Sequence, residues 1–221
     1  MPPSPDSSST PRRRSSALKS RILQAERAAF ERAAVAFETD AALERAASVI
    51  AGSRRRFVLG RGASHGLATA LATALSASFS QVTLAAPPAL EALDLLADVR
   101  GGDSLIALCT RPYRRDVVEI SRQYVAAGGT LIIVTDSADS PLSAFAAEQV
   151  IVDTEDRELG DTSAGIVLAL RLLADLAAAS SKGATRRAQE RDRLGEALDL
   201  YVPAQRWDGR APDPRLGGSV V

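Results

Sequence analysis

The sequence predicts a single α/β domain in which a parallel sheet is covered by helices on both faces. Short, continuous apolar segments recur along the middle of the chain and alternate with stretches of helical periodicity. The connections between them are short and rich in glycine, proline, serine or aspartate. A chain of 221 residues, of which 46% are hydrophobic, is long enough for one domain with a substantial core.

Composition excludes several classes of protein. The 27 Lys and Arg residues balance the 27 Asp and Glu residues, so no global basic field points to nucleic acid. The single cysteine, Cys109, excludes an internal disulfide and a cysteine-based zinc site, and the single histidine, His65, excludes a multi-histidine metal centre in one subunit. No apolar run has the length of a membrane span, and no secretory signal is recognisable. We expect a cytoplasmic protein without membrane contact, metal or cofactor.

Two helices are expected before the first strand. Residues 1–16 are Pro/Ser-rich and then basic, which is typical of a disordered leader; a basic arm that contacts nucleic acid is the alternative. Apolar residues recur at helical spacing from Ala17 to about Phe37. Asp40 fits the N-cap of a second helix over 41–51, which Gly52 ends. The predicted segments are a leader (1–16), N-terminal helices and linker (17–52), the α/β domain (53–182), and a C-terminal helix with a loose tail (183–221).

Within the domain, strands and helices are expected to alternate. Phe57–Leu59 is a short apolar run closed by Gly60, a pattern typical of a strand buried on both faces. Thr130–Thr135 has the highest β-propensity in the chain. The other expected strands are 82–84, 104–109 and 149–153, and the expected helices are 64–79, 87–97, 112–127, a short one from Pro141, one from 161/162 to 180, and 185–202.

The loop after the first strand is the first candidate binding site, because ligands of parallel sheets bind beyond the carboxyl ends of the strands. Gly60 and Gly62 let the backbone turn sharply and approach a ligand. The residues that follow open a helix, whose free N–H groups favour an anion, and Ser64 adds a hydroxyl. A dinucleotide fingerprint and a P-loop are both absent. The alternative is a tight turn in which Ser64 only caps the helix.

The loops after the third and fourth strands are the other candidates. Arginines beside a helix N-terminus indicate an anionic partner, although a solvated basic turn paired with Asp116 and Glu119 is the alternative. In the fourth-strand loop, Ser137 and Ser140 either contact a ligand or cap a helix. Cys109 is more typical of a small core residue than of a nucleophile. The candidate residues of the third-strand loop are Thr110, Arg111, Tyr113, Arg114 and Arg115.

Three motifs in this order resemble those of a sugar isomerase (SIS) domain. They are Gly60-x-Gly62-x-Ser64-x-x-x-Ala68, Tyr113-x-Arg115-Asp116, and Thr135-Asp136-Ser137 leading to Ser140-Pro141-Leu142. From about residue 40 to 180 the chain resembles in particular the SIS half of RpiR-type bacterial transcriptional regulators. The resemblance implies a three-layer, flavodoxin-like fold with five parallel strands, binding of phosphosugars or related carbohydrate derivatives, and homodimers or homotetramers.

The chain also departs from those regulators. They carry a helix-turn-helix module before the linker, where this sequence has only the basic leader, so direct DNA binding is not expected. Sugar-phosphate-binding members typically have serine where Cys109 stands and serine or threonine where Arg114 stands. One wall of the implied phosphate site is therefore altered.

The resemblance leaves three functions open. The first, a phosphosugar sensor linked to transcription regulation, has phosphate held by Ser64 and the N–H groups of 62–65, with Ser137 or Ser140 completing the cradle. The second is a phosphosugar aldose–ketose isomerase, with His65 as base and Glu158 assisting. The third is an interaction protein that has lost ligand binding. A lone histidine in the first turn of a helix is more often a ligand contact or solvent-facing, which favours the sensor.

Overall fold

The computed structural model describes residues 11–156 and 160–202. Helices and strands alternate along most of this length, with two helices before the first strand and two after the last. The elements are α1 (Pro11–Thr39), α2 (Ala42–Gly52), β1 (Arg56–Leu59), a 3₁₀ turn (Gly62–Ser64), α3 (His65–Ser78), β2 (Val82–Leu84), α4 (Ala92–Ala97), β3 (Ser104–Cys109), α5 (Arg115–Ala126), β4 (Thr130–Thr135), β5 (Glu148–Ile151), β6 (Glu155–Asp156), β7 (Gly160–Asp161), α6 (Ala164–Ala179) and α7 (Ala184–Ala197).

Five strands form one parallel sheet in the order β2-β1-β3-β4-β5. Val58 is aligned with Ile106, and Ile106 with Ile132, so apolar side chains stack across the centre of the sheet. The strand order reverses between β1 and β3, which places their carboxyl ends at the switch point where ligands of such sheets bind. The predicted flavodoxin-like parallel sheet is confirmed. The β6–β7 hairpin, which is antiparallel, was not predicted.

The two faces of the sheet each cover an apolar cluster. On one face Val58, Ile106 and Ile132 pack against α2, α3 and α6. On the other face Leu105 and Ile133 lie in a cluster with residues of α4 and α5. A buried side chain of this size contributes about 1.5–3 kcal/mol relative to an exposed one, so the sheet is fixed from both sides. The loops at its two edges are thereby held in place.

Helix α1 packs along α6 although almost the whole domain separates the two in sequence. Ala25, Ala29 and Ala33, four residues apart, form its buried stripe. The Glu26 carboxylate accepts hydrogen bonds from the backbone N–H groups of Ser163 (3.1 Å) and Ala164 (2.7 Å) at the start of α6. A carboxylate there offsets the partial positive charge of a helix N-terminus. Helix α1 thus supplies the cap that α6 lacks in its own sequence.

Several predicted boundaries differ from the structure. Helix α1 begins at Pro11, so residues 11–16 of the expected leader are helical. Helix α4 begins only at Ala92, since the two prolines before it lack N–H groups and the chain there forms turns, with Ala89 and Leu90 N–H bonded to the Ala86 carbonyl. Helix α5 begins at Arg115 rather than Pro112. The segment after Pro141 forms hydrogen-bonded turns instead of a helix, and α7 ends at Ala197.

Neither a membrane-spanning helix nor a cluster of metal ligands is found in the part of the chain that the structure describes. No single helix there is long and apolar enough to cross a membrane, although α6 and α7, bent by 102°, meet the length and composition requirement as a pair. No three His, Cys, Asp or Glu side chains within residues 11–156 and 160–202 are grouped as metal ligands. Cys109 is a free, buried thiol.

Candidate functional site

The loop after β1 is shaped by two glycines. A Cβ atom on Gly60 would lie 2.6 Å from the Ser64 carbonyl oxygen and 2.7 Å from Ala68 Cβ, so only glycine lets α3 begin this close to the strand. Gly62 has φ +59°, a conformation that favours glycine. The tight turn uses the N–H groups of Ser64 and His65, which donate to the carbonyls of Arg61 and Gly62. Within the described residues, the N–H groups of Gly62 and Ala63 have no protein acceptor and remain available to a ligand.

The loop after β3 is tied to the loop after β4 by an ion pair. Strands β3 and β4 are neighbours with Cys109 aligned to Thr135, so residues just beyond their ends meet. Arg111 Nε lies 2.6 Å from Asp136 Oδ2, and the Asp136 side chain is only 2% exposed. Burial acts to raise the pKa of Asp136, but hydrogen bonds from Arg111 and Tyr113 hold it below its usual value. Asp136 is therefore a charged anchor for Arg111.

Arg114 joins the loop after β3 to the loop after β1. Its guanidinium group makes a bidentate pair with Asp116, with Nε–Oδ1 at 3.0 Å and Nη2–Oδ2 at 2.9 Å. The hydrogen bond from Arg114 holds the pKa of Asp116 below its usual value. The same side chain lies against Gly62, where an added Cβ would be 3.4 Å from Arg114 Nη1. The arginine at this position therefore closes one side of the site.

Between these loops lies a cleft of about 200 Å³, which we call the carboxyl-edge cleft. It sits at the switch point between β1 and β3, and its lining includes Ser64, Thr110 and three arginines. Burial raises the pKa of the Cys109 thiol to about 11, so this wall residue is a neutral thiol at physiological pH. The cleft is lined by Arg61, Gly62, Ala63, Ser64, Leu108, Cys109, Thr110, Arg111, Pro112, Arg114 and Val117.

The structure brings together only part of the predicted site. Gly62, Ser64, Thr110, Arg111 and Arg114 all line the carboxyl-edge cleft. Sequence reasoning missed Arg61, which lies within the predicted loop, and the anchoring role of Asp136. Arg61 could have been predicted from the sequence, because it is a cation between two glycines. The role of Asp136 could not, because it depends on which strands are neighbours.

The other predicted residues lie outside the lining of this cleft. Ser137 Oγ accepts from the Asp139 N–H, and Ser140 is buried against the Cys109 thiol. Glu158 lies outside the described residues. Gly60 is behind the turn, Tyr113 is beside Asp136, and His65 and Arg115 are exposed.

These features define a class of protein: an α/β domain with a five-stranded parallel sheet and an anion-compatible cleft at its switch point. The SIS domain model matches residues 49–177, more than half of the chain. The chain therefore belongs to the SIS domain family, and the recognition made from its three motifs is confirmed. No protein of curated function is significantly similar in sequence.

Solved structures share this fold at low sequence identity. The sugar isomerase domain of an RpiR transcription factor from Sphaerobacter thermophilus gives a TM-score of 0.71 at 23% identity, covering 80% of this chain and 99% of that one. The Vibrio vulnificus NanR protein complexed with ManNAc-6P gives 0.67 at 19%, covering 82% and 69%. A Methanococcus jannaschii protein with an inferred function of 3-hexulose-6-phosphate isomerase gives 0.60 at 12%, covering 83% and 99%.

Proposed function

We propose that this chain is a phosphosugar-binding SIS module with a sensory, regulatory role, and that its carboxyl-edge cleft holds the phosphate group. The observation that carries the proposal is the turn from Gly62 to Ser64, whose two free N–H groups and one hydroxyl belong to the lining of a small cleft that three arginines also line. Backbone N–H groups at a helix start and arginines are the two donor types that proteins use most for phosphate.

The electrostatics of the cleft support a small anion. Arg111 and Arg114 each have an aspartate partner, whereas Arg61 has no ion-pair partner among the described residues. The cleft is therefore mildly positive rather than strongly basic, which suits the charge of one phosphate monoester. A volume of about 200 Å³ fits a phosphate group, and the rest of a sugar would extend outward from it.

The family and the neighbours support a phosphosugar as the ligand. NanR, which shares the fold, was solved with a phosphorylated amino sugar. The Cys109 and Arg114 departures change the donor set rather than removing it, because Arg114 brings charged N–H donors to the wall where a hydroxyl was expected.

Among the residues that the structure describes, which do not include Glu158, the cleft offers no evident base, and this favours a sensor over an isomerase. His65 is exposed and outside the cleft lining. The Cys109 thiol is protonated at neutral pH, and Asp116 and Asp136 are held by arginines. Aldose–ketose isomerisation requires a base within hydrogen-bond reach of the carbon-bound proton. The homodimer or homotetramer implied by the family stays a prediction.

The test is calorimetric titration with a panel of hexose and hexosamine 6-phosphates, each beside its unphosphorylated sugar. We expect one phosphosugar to bind and its parent sugar to fail, and Ser64→Ala to weaken binding by about 10-fold, since a charge-assisted hydrogen bond is lost. Ser20→Ala on the exposed face of α1 is the matched control. Binding that depends on the sugar but not on its phosphate, or that Ser64→Ala leaves unchanged, would contradict the proposal.

A further inference from the structure

A second, larger cleft lies at the opposite edge of the sheet, where the strands begin. Its volume is about 740 Å³, and it is bounded by the residues before β1, the end of α3 and the first turns of α7. We call it the amino-edge cleft. Its most unusual property is that five arginines line it together with a single carboxylate, Glu190: Arg54, Arg56, Arg186, Arg187 and Arg191.

The one carboxylate does not neutralise the cleft. Glu190 makes a bidentate pair with Arg193, at 2.7 and 2.9 Å, and Arg193 is not part of the lining. Arg54 reaches Asp103 only at 3.4 Å, and Asp103 is already held by Arg55 at 2.6 Å. Among the described residues, Arg186 and Arg191 make no ion pair. Glu190, whose charge also acts on Arg186, is therefore one carboxylate among five lining arginines, and the cleft keeps a net positive charge.

Arg56 adds a buried cation to the same cleft. It is 5% exposed and lies with its guanidinium carbon 4.2 Å from the centre of the Phe79 ring. Its N–H groups donate to the carbonyls of Ile50 (2.7 Å), Ala51 (3.0 Å) and Ser80 (3.4 Å). These carbonyls satisfy its hydrogen bonds but carry no full charge, and burial lowers its pKa. An anion in the cleft would supply the missing counter-charge.

The beginning of α7 points to the same conclusion. The first turn of this helix has no acidic residue and carries Arg186 and Arg187 instead. Cations beside a helix N-terminus are unfavourable, because the backbone there already has a partial positive charge. A bound anion would offset the helix dipole and the arginines at once.

We propose that the amino-edge cleft binds a small polyanion with two or more linked phosphate groups, at a site separate from the carboxyl-edge cleft. Its volume lies within the range of about 300–1,000 Å³ that is usual for small-molecule sites. The arginines come from both walls, so they can contact successive phosphate groups of one ligand. Phe79, whose ring lies against the Arg56 guanidinium, is part of the same lining. Nucleoside polyphosphates and inorganic polyphosphate share this chemistry.

The experiment is calorimetric titration of the full chain with inorganic tripolyphosphate. The test variant is Arg186→Gln with Arg191→Gln, two exposed positions of α7. The matched control is Arg27→Gln with Arg122→Gln, which removes the same charge from exposed positions outside both clefts. We expect the test variant to bind tripolyphosphate about 10-fold more weakly, or worse, because charge-assisted hydrogen bonds are lost. The control and Ser64→Ala should bind as the unmodified chain does.

The outcomes distinguish a nucleotide from inorganic polyphosphate, and a specific site from non-specific binding to surface charge. Tighter binding of ATP than of tripolyphosphate would identify a nucleotide, and equal binding would identify the polyphosphate chain alone. Equal loss in the test and control variants, or no binding at millimolar tripolyphosphate, would overturn the proposal. Tighter binding of short duplex DNA than of either probe would also overturn it, in favour of a nucleic-acid surface. Loss on Ser64→Ala would place the polyanion in the carboxyl-edge cleft instead.

Discussion

The two clefts at opposite edges of the sheet differ in how many of their arginines are paired. At the carboxyl edge, Arg111 and Arg114 each hold an aspartate, Arg61 alone has no ion-pair partner among the described residues, and the cleft is small. At the amino edge, Arg186 and Arg191 have no ion-pair partner among the described residues, and the cleft is more than three times as large. A carboxylate holds a paired arginine in one orientation and neutralises its charge. An unpaired arginine keeps a charge that an anionic ligand can neutralise.

The two clefts are therefore recognised by different properties: one by its position in the sheet, the other by its charge. The parallel sheet alone marks the carboxyl edge, whatever side chains it carries. The topology predicts no ligand site at the amino edge. The excess of arginines over carboxylates is what indicates one there. The two sites can therefore be altered independently, which the following experiments exploit.

The largest effect is expected where an acidic partner is fully buried. Asp103, at the amino edge, is 0% exposed and accepts from Arg55 Nη2 at 2.6 Å and from the Arg100 N–H at 2.9 Å. Asp103→Ala should lower the free energy of unfolding by about 3 kcal/mol or more, because it leaves Arg55 without its partner. Urea denaturation measures this. Asp175→Ala, which breaks the exposed pair with Arg171, should change little, and a similar loss in both variants would refute the distinction.

The same carboxylate should give the fold an acid-sensitive component. Burial acts to raise the pKa of Asp103, but Arg55 and the Arg100 N–H hold it below its usual value. A depressed folded-state pKa adds stability that is complete above the unfolded-state pKa of about 3.9 and is lost as the pH falls through the folded-state pKa. The unmodified chain should therefore lose more stability than Asp103→Asn on acidification below about pH 4. Parallel acid-unfolding curves would show that Asp103 does not contribute this component.

A smaller loss of stability should come from a change in the backbone of the carboxyl-edge loop that leaves its charges unaltered. Gly60→Ala places a Cβ against the Ser64 carbonyl and Ala68, and should cost about 1–3 kcal/mol of unfolding free energy through overpacking. Gly66→Ala lies one turn away in α3 with no atom within 4 Å of the added Cβ. It should leave stability unchanged or slightly raised. Thermal unfolding of the two variants makes the comparison, and equal melting temperatures would show that the turn can relax.

The smallest effect should come from making the carboxyl edge resemble the amino edge. Asp116→Asn removes the partner of Arg114 at a half-exposed position. We expect an unchanged melting temperature and phosphosugar binding tighter by about 3-fold, because an unpaired arginine is free to contact the phosphate. Glu119→Gln, which is exposed and outside the cleft lining, is the control for lost negative charge. Weaker binding in Asp116→Asn would show that Arg114 works only when its aspartate orients it.

Local patterns predicted the parts of the molecule that depend on neighbours in sequence. β3 and β4 occur at their predicted bounds because continuous apolar runs buried on both faces have few other structures available. The Gly60–Ser64 loop was predicted from its two glycines, which directly follow a buried strand. β1 was predicted one residue short, since Arg56 does not look like a strand residue, yet it is buried beneath Phe79 with its charge directed to backbone carbonyls.

The remainder depends on residues that are distant in sequence. The Arg111–Asp136 pair spans 25 residues and requires β3 and β4 to be neighbours, which the sequence predicted only as a family property. The arginines of the amino-edge cleft come from the segment before β1 and from α7, more than a hundred residues apart. No short window contains both, so the sequence showed only scattered cations.

The contact of Glu26 with the start of α6 has a consequence for where this protein can be cut. The family match begins at residue 49, yet a fragment starting there would lack the Glu26 carboxylate that caps α6 and would expose the face of α6 that α1 covers. The family match is thus shorter than the packed domain in the structure, which includes α1. We expect a fragment that keeps α1 to be more stable than one that starts at residue 49, because α1 caps and covers α6.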